Sequence, residues 1–211
     1  MPTETSAVQS EQNPWRNPIL WIILAIWGIL AILIALSGAL SIETAGLPLN
    51  LIAVLLGPPV LFLFAQKSLP PVRTWVDQLD LGTVVGMQAW RVIGGTFVFL
   101  WLMGQLPAVF AILAGFGDVA VGIGAVFVTL KVAHRNCHWT RSARRLIYFG
   151  ILDFVVAFTT GLLSRPGYPL HFQGAPSTEI VLLYPVVLVP GFLVPIFMIL
   201  HIIAWMKLRE H

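Results

Sequence analysis

The amino-acid sequence predicts an all-α fold, a polytopic transmembrane helical bundle of about six spans. Three observations carry the prediction. Hydrophobic residues make up 58% of the 211 residues and charged residues only 10%, with a mean hydropathy of +0.89, a balance foreign to soluble domains. The apolar residues gather in runs of about 20, the length that crosses ~30 Å of hydrocarbon. The basic residues outside those runs fall almost entirely in alternate loops.

Taken in order, residues 1–17 are polar, carry Glu4 and Glu11, and lack the basic start and short apolar core of a signal peptide. They are expected to form a disordered cytoplasmic tail. Asn17-Pro18 opens the first span, Asn as a helix cap and Pro at the first helical position, and Ile19 to Leu40 is long enough to cross. Trp15 and Trp21 suit the interface. Leu47 to Gln66 is the second span, with Gly57-Pro58-Pro59 near its middle. Proline lacks an amide hydrogen and crowds the preceding turn, so a kink is expected there, or a break that exposes carbonyls. After Pro70-Pro71, Val72, Trp75, Val76 and Leu79 fall on one helical face and Arg73, Asp77 and Gln78 on the other. That is the pattern of a short amphipathic helix at the interface.

The third span, Leu81 to Met103, carries Arg91; α-helical spacing aligns Gln88, Arg91, Gly95, Val98, Leu102 and Gln105. The fourth runs from Pro107 or Ala108 to about Leu130, with Gly115, Asp118, Gly122, Ala125 and Thr129 on one face. Small residues on one face let helices approach closely. The fifth, about Leu146 to Ser164, repeats that character with Gly150, Asp153, Ala157, Thr160 and Ser164. The sixth starts near Pro176-Ser177-Thr178-Glu179 and ends about Trp205, with Pro185, Pro190 and Pro195 expected to bend it, and His201 near its end. The membrane domain is thus 18–206, with 207–211 a cytoplasmic C-terminal tail.

Six spans put both termini on one side, together with Arg16, Lys67, Arg73, Lys131, Arg135, Arg141, Arg144, Arg145, Lys207 and Arg209; the other side has Arg165. Short-loop basic residues stay inside, so the expectation is a multi-pass protein of the cell membrane with cytoplasmic N- and C-termini.

Charges at membrane depth are costly and face partners or wet cavities. At 1.5 Å per residue, Arg91, Asp118 and Asp153 lie roughly 12–16 Å inside their respective spans, so they are expected to form one buried cluster, with His201 slightly nearer the termini. One arginine with two ionised aspartates leaves one excess negative charge. A proton, a protonated His201 or a bound cation would balance it, and the acids would titrate as a coupled set. Gln88, Gln105, Thr129 and Thr160 are candidate polar groups of a pathway to it. This pattern fits proton- or cation-linked transport of a small solute. It fits equally a structural or assembly subunit of a larger membrane complex whose ion pairs only lock helices together. A cofactor-binding protein or intramembrane enzyme is a third reading.

Arg91-x-x-Gly94-Gly95, Leu106-Pro107-Ala108-x-Phe110, Ala114-Gly115-x-Gly117-Asp118 and Leu152-Asp153-Phe154-x-x-Ala157 resemble a family of uncharacterised bacterial polytopic integral membrane proteins. The resemblance implies a helical membrane protein and no particular activity.

Other chemistry is thinly signalled. His134, Cys137 and His138 at helical spacing are weak metal candidates, disfavoured by Arg135 and Arg141 beside them. No cofactor is assigned. Ser177 and His171 share a loop without an acid to complete a triad, and no nucleophile or phosphate-loop motif points to an enzyme. A single cysteine excludes an intrachain disulfide. The expected partners are the lipid bilayer and either further copies or a larger membrane complex, not nucleic acid.

Overall fold

A computed structural model describes residues 14–40, 49–135 and 137–210. Among the described residues there is no strand, and six helices are long and apolar enough to cross a membrane. In chain order the helices are α1 (Pro18–Leu36), α2 (Leu49–Ser68), the short α3 (Pro70–Gln78), α4 (Leu81–Leu102), α5 (Ala108–Ala133), α6 (Trp139–Leu163) and α7 (Val189–Leu208).

Local signals set several boundaries. The Asn17 side chain accepts from the Ile19 amide at 3.0 Å and starts α1. Asp80 accepts from the Thr83 amide at 2.8 Å and starts α4. Such caps satisfy donors that have no partner in the first turn. In α3, Val76 and Leu79 are buried while Arg73, Asp77 and Gln78 are exposed, as the amphipathic spacing requires. The Trp75 indole donates to the Pro14 carbonyl at 3.2 Å and meets Trp15 edge-on at 6.0 Å. From the other end of the chain, Lys207 donates to the Asp77 carbonyl at 2.6 Å. The residues just before α1, α3 and the end of α7 are therefore tied together.

The spans are unequal in burial. In α5 and α7, 44% of the most apolar stretch is buried, against 6% in α1 and 11% in α2. The core is therefore α4 to α7, with α1 and α2 laid on its surface. Two apolar clusters divide that core. One, around Val84, Val121, Ile147 and Ile203, lies toward the termini. The other, around Phe97, Phe110, Ala114 and Val189, lies toward the opposite end. Arg91, Asp118 and Asp153 fall between the two clusters along their respective helices.

Four expectations about boundaries need correction. α1 ends at Leu36, and Ser37 to Leu40 form a turn. α2 runs unbroken from Leu49 to Ser68 with Pro58 and Pro59 inside it, so of the two expectations there it is the break that does not form. α6 begins at Trp139, well before Leu146, and takes Arg141, Arg144 and Arg145 into its first turns. A basic residue ends the hydrophobic run without ending the helix, since Arg is a good helix former. The last membrane helix begins at Val189 and not near Glu179; residues Thr178–Leu182 form a separate 3-10 turn. Pro185 and Pro190 cannot donate the bonds that a continuous helix would need there. Residues 1–13 of the expected tail lie outside the described residues.

Candidate functional site

The site begins with the backbone of α4. Residues Met87–Gly94 are wound as a 3-10 helix, which has three residues per turn, so residues three apart eclipse. Gln88, Arg91, Gly94 and Phe97, each three residues on, are accordingly the buried positions. This winding aims Gln88 and Arg91 at the same interior and leaves Gly94 facing α5.

Arg91 is 0% exposed. Its Nε donates to Asp118 Oδ1 at 2.7 Å, its Nη2 donates to Asp153 Oδ2, and its Nη1 donates to the Gly150 carbonyl at 3.3 Å. One guanidinium thus binds α5 once and α6 twice. Its carbon also sits 3.9 Å from the centre of the Phe154 ring, a cation–π contact that gains strength where water is excluded. Asp118 Oδ2 and Asp153 Oδ1 are not the oxygens that Arg91 engages.

Three glycines make room for this centre. A Cβ on Gly94 would overlap the Asp118 side chain, one on Gly117 would overlap Asp153, and one on Gly150 would overlap the His201 ring and lie 3.1 Å from Arg91 Nη1. Each glycine stands where a charged or polar side chain crosses from a neighbouring helix. Gly122 does the same for backbone: a Cβ there would meet the Ala89 carbonyl at 3.0 Å.

His201 completes the centre on the side of the termini. Its Nδ1 lies 2.6 Å from Gln88 Nε2 and 3.0 Å from the Phe197 carbonyl. The nitrogen can accept from the amide or donate to the carbonyl, according to which ring nitrogen holds the proton. Gln88 Nε2 also donates to the Phe197 carbonyl at 3.1 Å, while its Oε1 is buried without a partner. The His201 and Phe154 rings meet edge-on at 5.7 Å, so one phenyl ring contacts both the histidine and the arginine.

A cavity of about 280 Å³ is lined by both acids and extends toward the end opposite the termini. Phe97, Phe110, Phe154 and Phe158 contribute to its walls, and Arg165 and Thr178 line it near the connecting loop. Leu51 and Leu55 of α2 close one side.

The structure therefore brings Arg91, Asp118, Asp153, His201 and Gln88 together. It does not bring the remaining pathway candidates to them. Gln105 is exposed in the turn after α4; the 3-10 winding rotates the inward face to Gly94 and Phe97, away from the α-helical register that ends at Gln105. Thr129, half-buried, donates to the Gly82 carbonyl at 3.3 Å, on the side of the cluster toward the termini. Thr160 donates to its own helix at the Val156 carbonyl, 2.7 Å away, and its neighbour Thr159 lines the cavity instead. His134, Cys137 and His138 do not share a helical face, because α5 ends at Ala133 and α6 begins at Trp139. Among the described residues no group of three or more His, Cys, Asp or Glu side chains is placed to hold a metal ion.

Sequence reasoning missed Phe154 and the glycines at 94, 117 and 150 as parts of the centre. The spacing held a signal for all three glycines. Gly94, Gly117 and Gly150 each lie within three residues of a buried charge, where a glycine is more than a generic small residue.

A family model described as "Domain of unknown function (DUF8737)" matches residues 48–209. The match includes α2 to α7 and every residue of the charged centre, and it leaves α1 outside. No curated protein and no solved structure was found to match the chain.

Proposed function

The chain belongs to the family described as Domain of unknown function (DUF8737), and on that footing we propose that it is an integral membrane protein that links a proton or cation at its Arg91–Asp118–Asp153 centre to the movement of a small solute. The observation that carries this reading is the cavity: it reaches Asp118 and Asp153, the two acids that share one arginine. Two carboxylates against one guanidinium leave a negative charge that a low-dielectric interior penalises. A positive charge arriving through the cavity removes the penalty, and its departure restores it. Such a site has two states separated by one charge, which is the requirement for coupling. The loop charges orient the chain with both termini in the cytoplasm, so the end of the cavity at Arg165 and Thr178 lies toward the outer side.

A second reading is favoured by the completeness of the Arg91 bonds. All three guanidinium nitrogens donate within the core, as expected of a staple in a structural or assembly subunit. Ion flux separates the two. The full chain is reconstituted in liposomes, a membrane potential is imposed, and proton or cation movement is followed with internal dyes. The transport reading expects flux that Asp118→Asn or Asp153→Asn abolishes in protein that still folds. Flux that is absent from the wild type, or that persists unchanged in both variants, supports the staple and removes the transport reading.

A further inference from the structure

We infer that the cavity is built for an organic cation with an apolar body, bound with its charge beside Asp118 and Asp153. The inference rests on the transport reading above and narrows it to a substrate class. Four phenyl rings, from Phe97, Phe110, Phe154 and Phe158, share the cavity with the two carboxylates. Aromatic faces and carboxylates together are the chemistry that holds alkylated or aryl ammonium ions, through ring quadrupoles and a counter-charge.

Size and donors argue against a bare metal ion. Hard cations such as Ca²⁺ ask for about six to eight oxygen ligands, and the lining residues with side-chain oxygens are Asp118, Asp153, Thr159 and Thr178, in otherwise largely apolar surroundings. A volume of about 280 Å³ is also far larger than the ~30 Å³ share of one water. It fits a small organic molecule, whose apolar part would bury against the phenyl and leucine side chains.

The charge runs the same way. Arg91 offsets one of the two carboxylates, and an ammonium group beside the pair brings the centre to neutrality.

The test uses the full chain in phosphatidylcholine nanodiscs and benzyltrimethylammonium as the probe, with binding measured by calorimetry. Benzenesulfonate and the neutral isostere neopentylbenzene serve as comparisons. The inference expects saturable binding of the ammonium and at least tenfold weaker binding of both comparisons. Phe158→Leu keeps every ion pair of the centre and should weaken ammonium binding roughly three- to tenfold by removing one aromatic face. Asp153→Asn should abolish it, with circular dichroism and thermal unfolding reporting whether that variant folds. Equal binding of the neutral compound would reduce the cavity to a greasy hole, preferred binding of benzenesulfonate would assign it to anions through Arg165, and no binding at all would remove the inference. If the ammonium does not bind but acid-dependent proton or metal-cation flux is present, the substrate class fails and the transport reading stands. If both are absent, both fail.

Discussion

Replacing Arg91 with leucine tests whether its two acids are held as charges or as packing. The side chain is 0% exposed and makes three donor bonds to two helices. Removing it leaves two buried carboxyl groups without a counter-charge, and breaking a buried pair in this way costs about 3–5 kcal/mol. For a chain of this size each kcal/mol moves the melting temperature by about 2–4 °C, so Arg91→Leu should lower it by roughly 6–20 °C in nanodiscs. The triple variant Arg91→Leu, Asp118→Leu, Asp153→Leu removes every charge at once. Replacing a buried triad by apolar residues of similar volume is near neutral or stabilising, so the triple variant should melt much closer to the wild type than the single one. Thermal unfolding followed by circular dichroism reads both. A single variant that melts with the wild type, or a triple variant that loses as much as the single, would refute the idea that uncompensated charge dominates the energetics here.

The remaining predictions concern the frame around the centre. Gly150→Ala places a Cβ onto the His201 ring and 3.1 Å from Arg91 Nη1, and should cost about 1–3 kcal/mol as overpacking does; Gly57→Ala in α2, with nothing within 4 Å of the new Cβ, should be neutral or gain up to ~1 kcal/mol, and the pair is compared by melting temperature. Lys207→Met removes the bond to the Asp77 carbonyl and should free α3 from the core, raising proteolysis within residues 69–80 while moving global unfolding by about 1–3 kcal/mol. A chain that begins at residue 41 lacks α1, which is 6% buried and outside the family match; it should lose less stability than Arg91→Leu, as read by the same melts.

Much of the fold can be read from hydropathy because a bilayer demands helices of one length. That is why six spans and the short α3 are legible, together with a depth at which Arg91, Asp118 and Asp153 can meet. The rest turns on geometry that apolar runs do not encode. The 3-10 winding of Met87–Gly94 changes the period from 3.6 to 3.0, and that single change carries the inward face away from Gln105 and onto Gly94 and Phe97. The start of α7 depends on which of three prolines a helix can absorb. Pro195 lies one residue into the α-helical part that starts at Val194, whereas Pro185 precedes the helix altogether. The choice between Thr159 and Thr160 as a cavity residue is a rotation of one position, or 100° around α6, which small and polar residues on both sides leave undetermined. His201 and Gln88 are legible as polar residues at depth, but their contact joins residues 113 apart in sequence.

The central claim is that the Asp118–Asp153 pair exchanges a positive charge while Arg91 stays bound. Infrared difference spectroscopy on the full chain in nanodiscs, recorded across a pH step and again on adding benzyltrimethylammonium, reads the carboxyl groups directly. A pair that exchanges charge should show a protonated-carboxyl band that changes with pH, is lost in Asp118→Asn or Asp153→Asn, and falls when the ammonium enters. A carboxyl spectrum that is unchanged by pH and by the cation, in protein that retains its wild-type melting temperature, would contradict it and leave the centre a fixed staple.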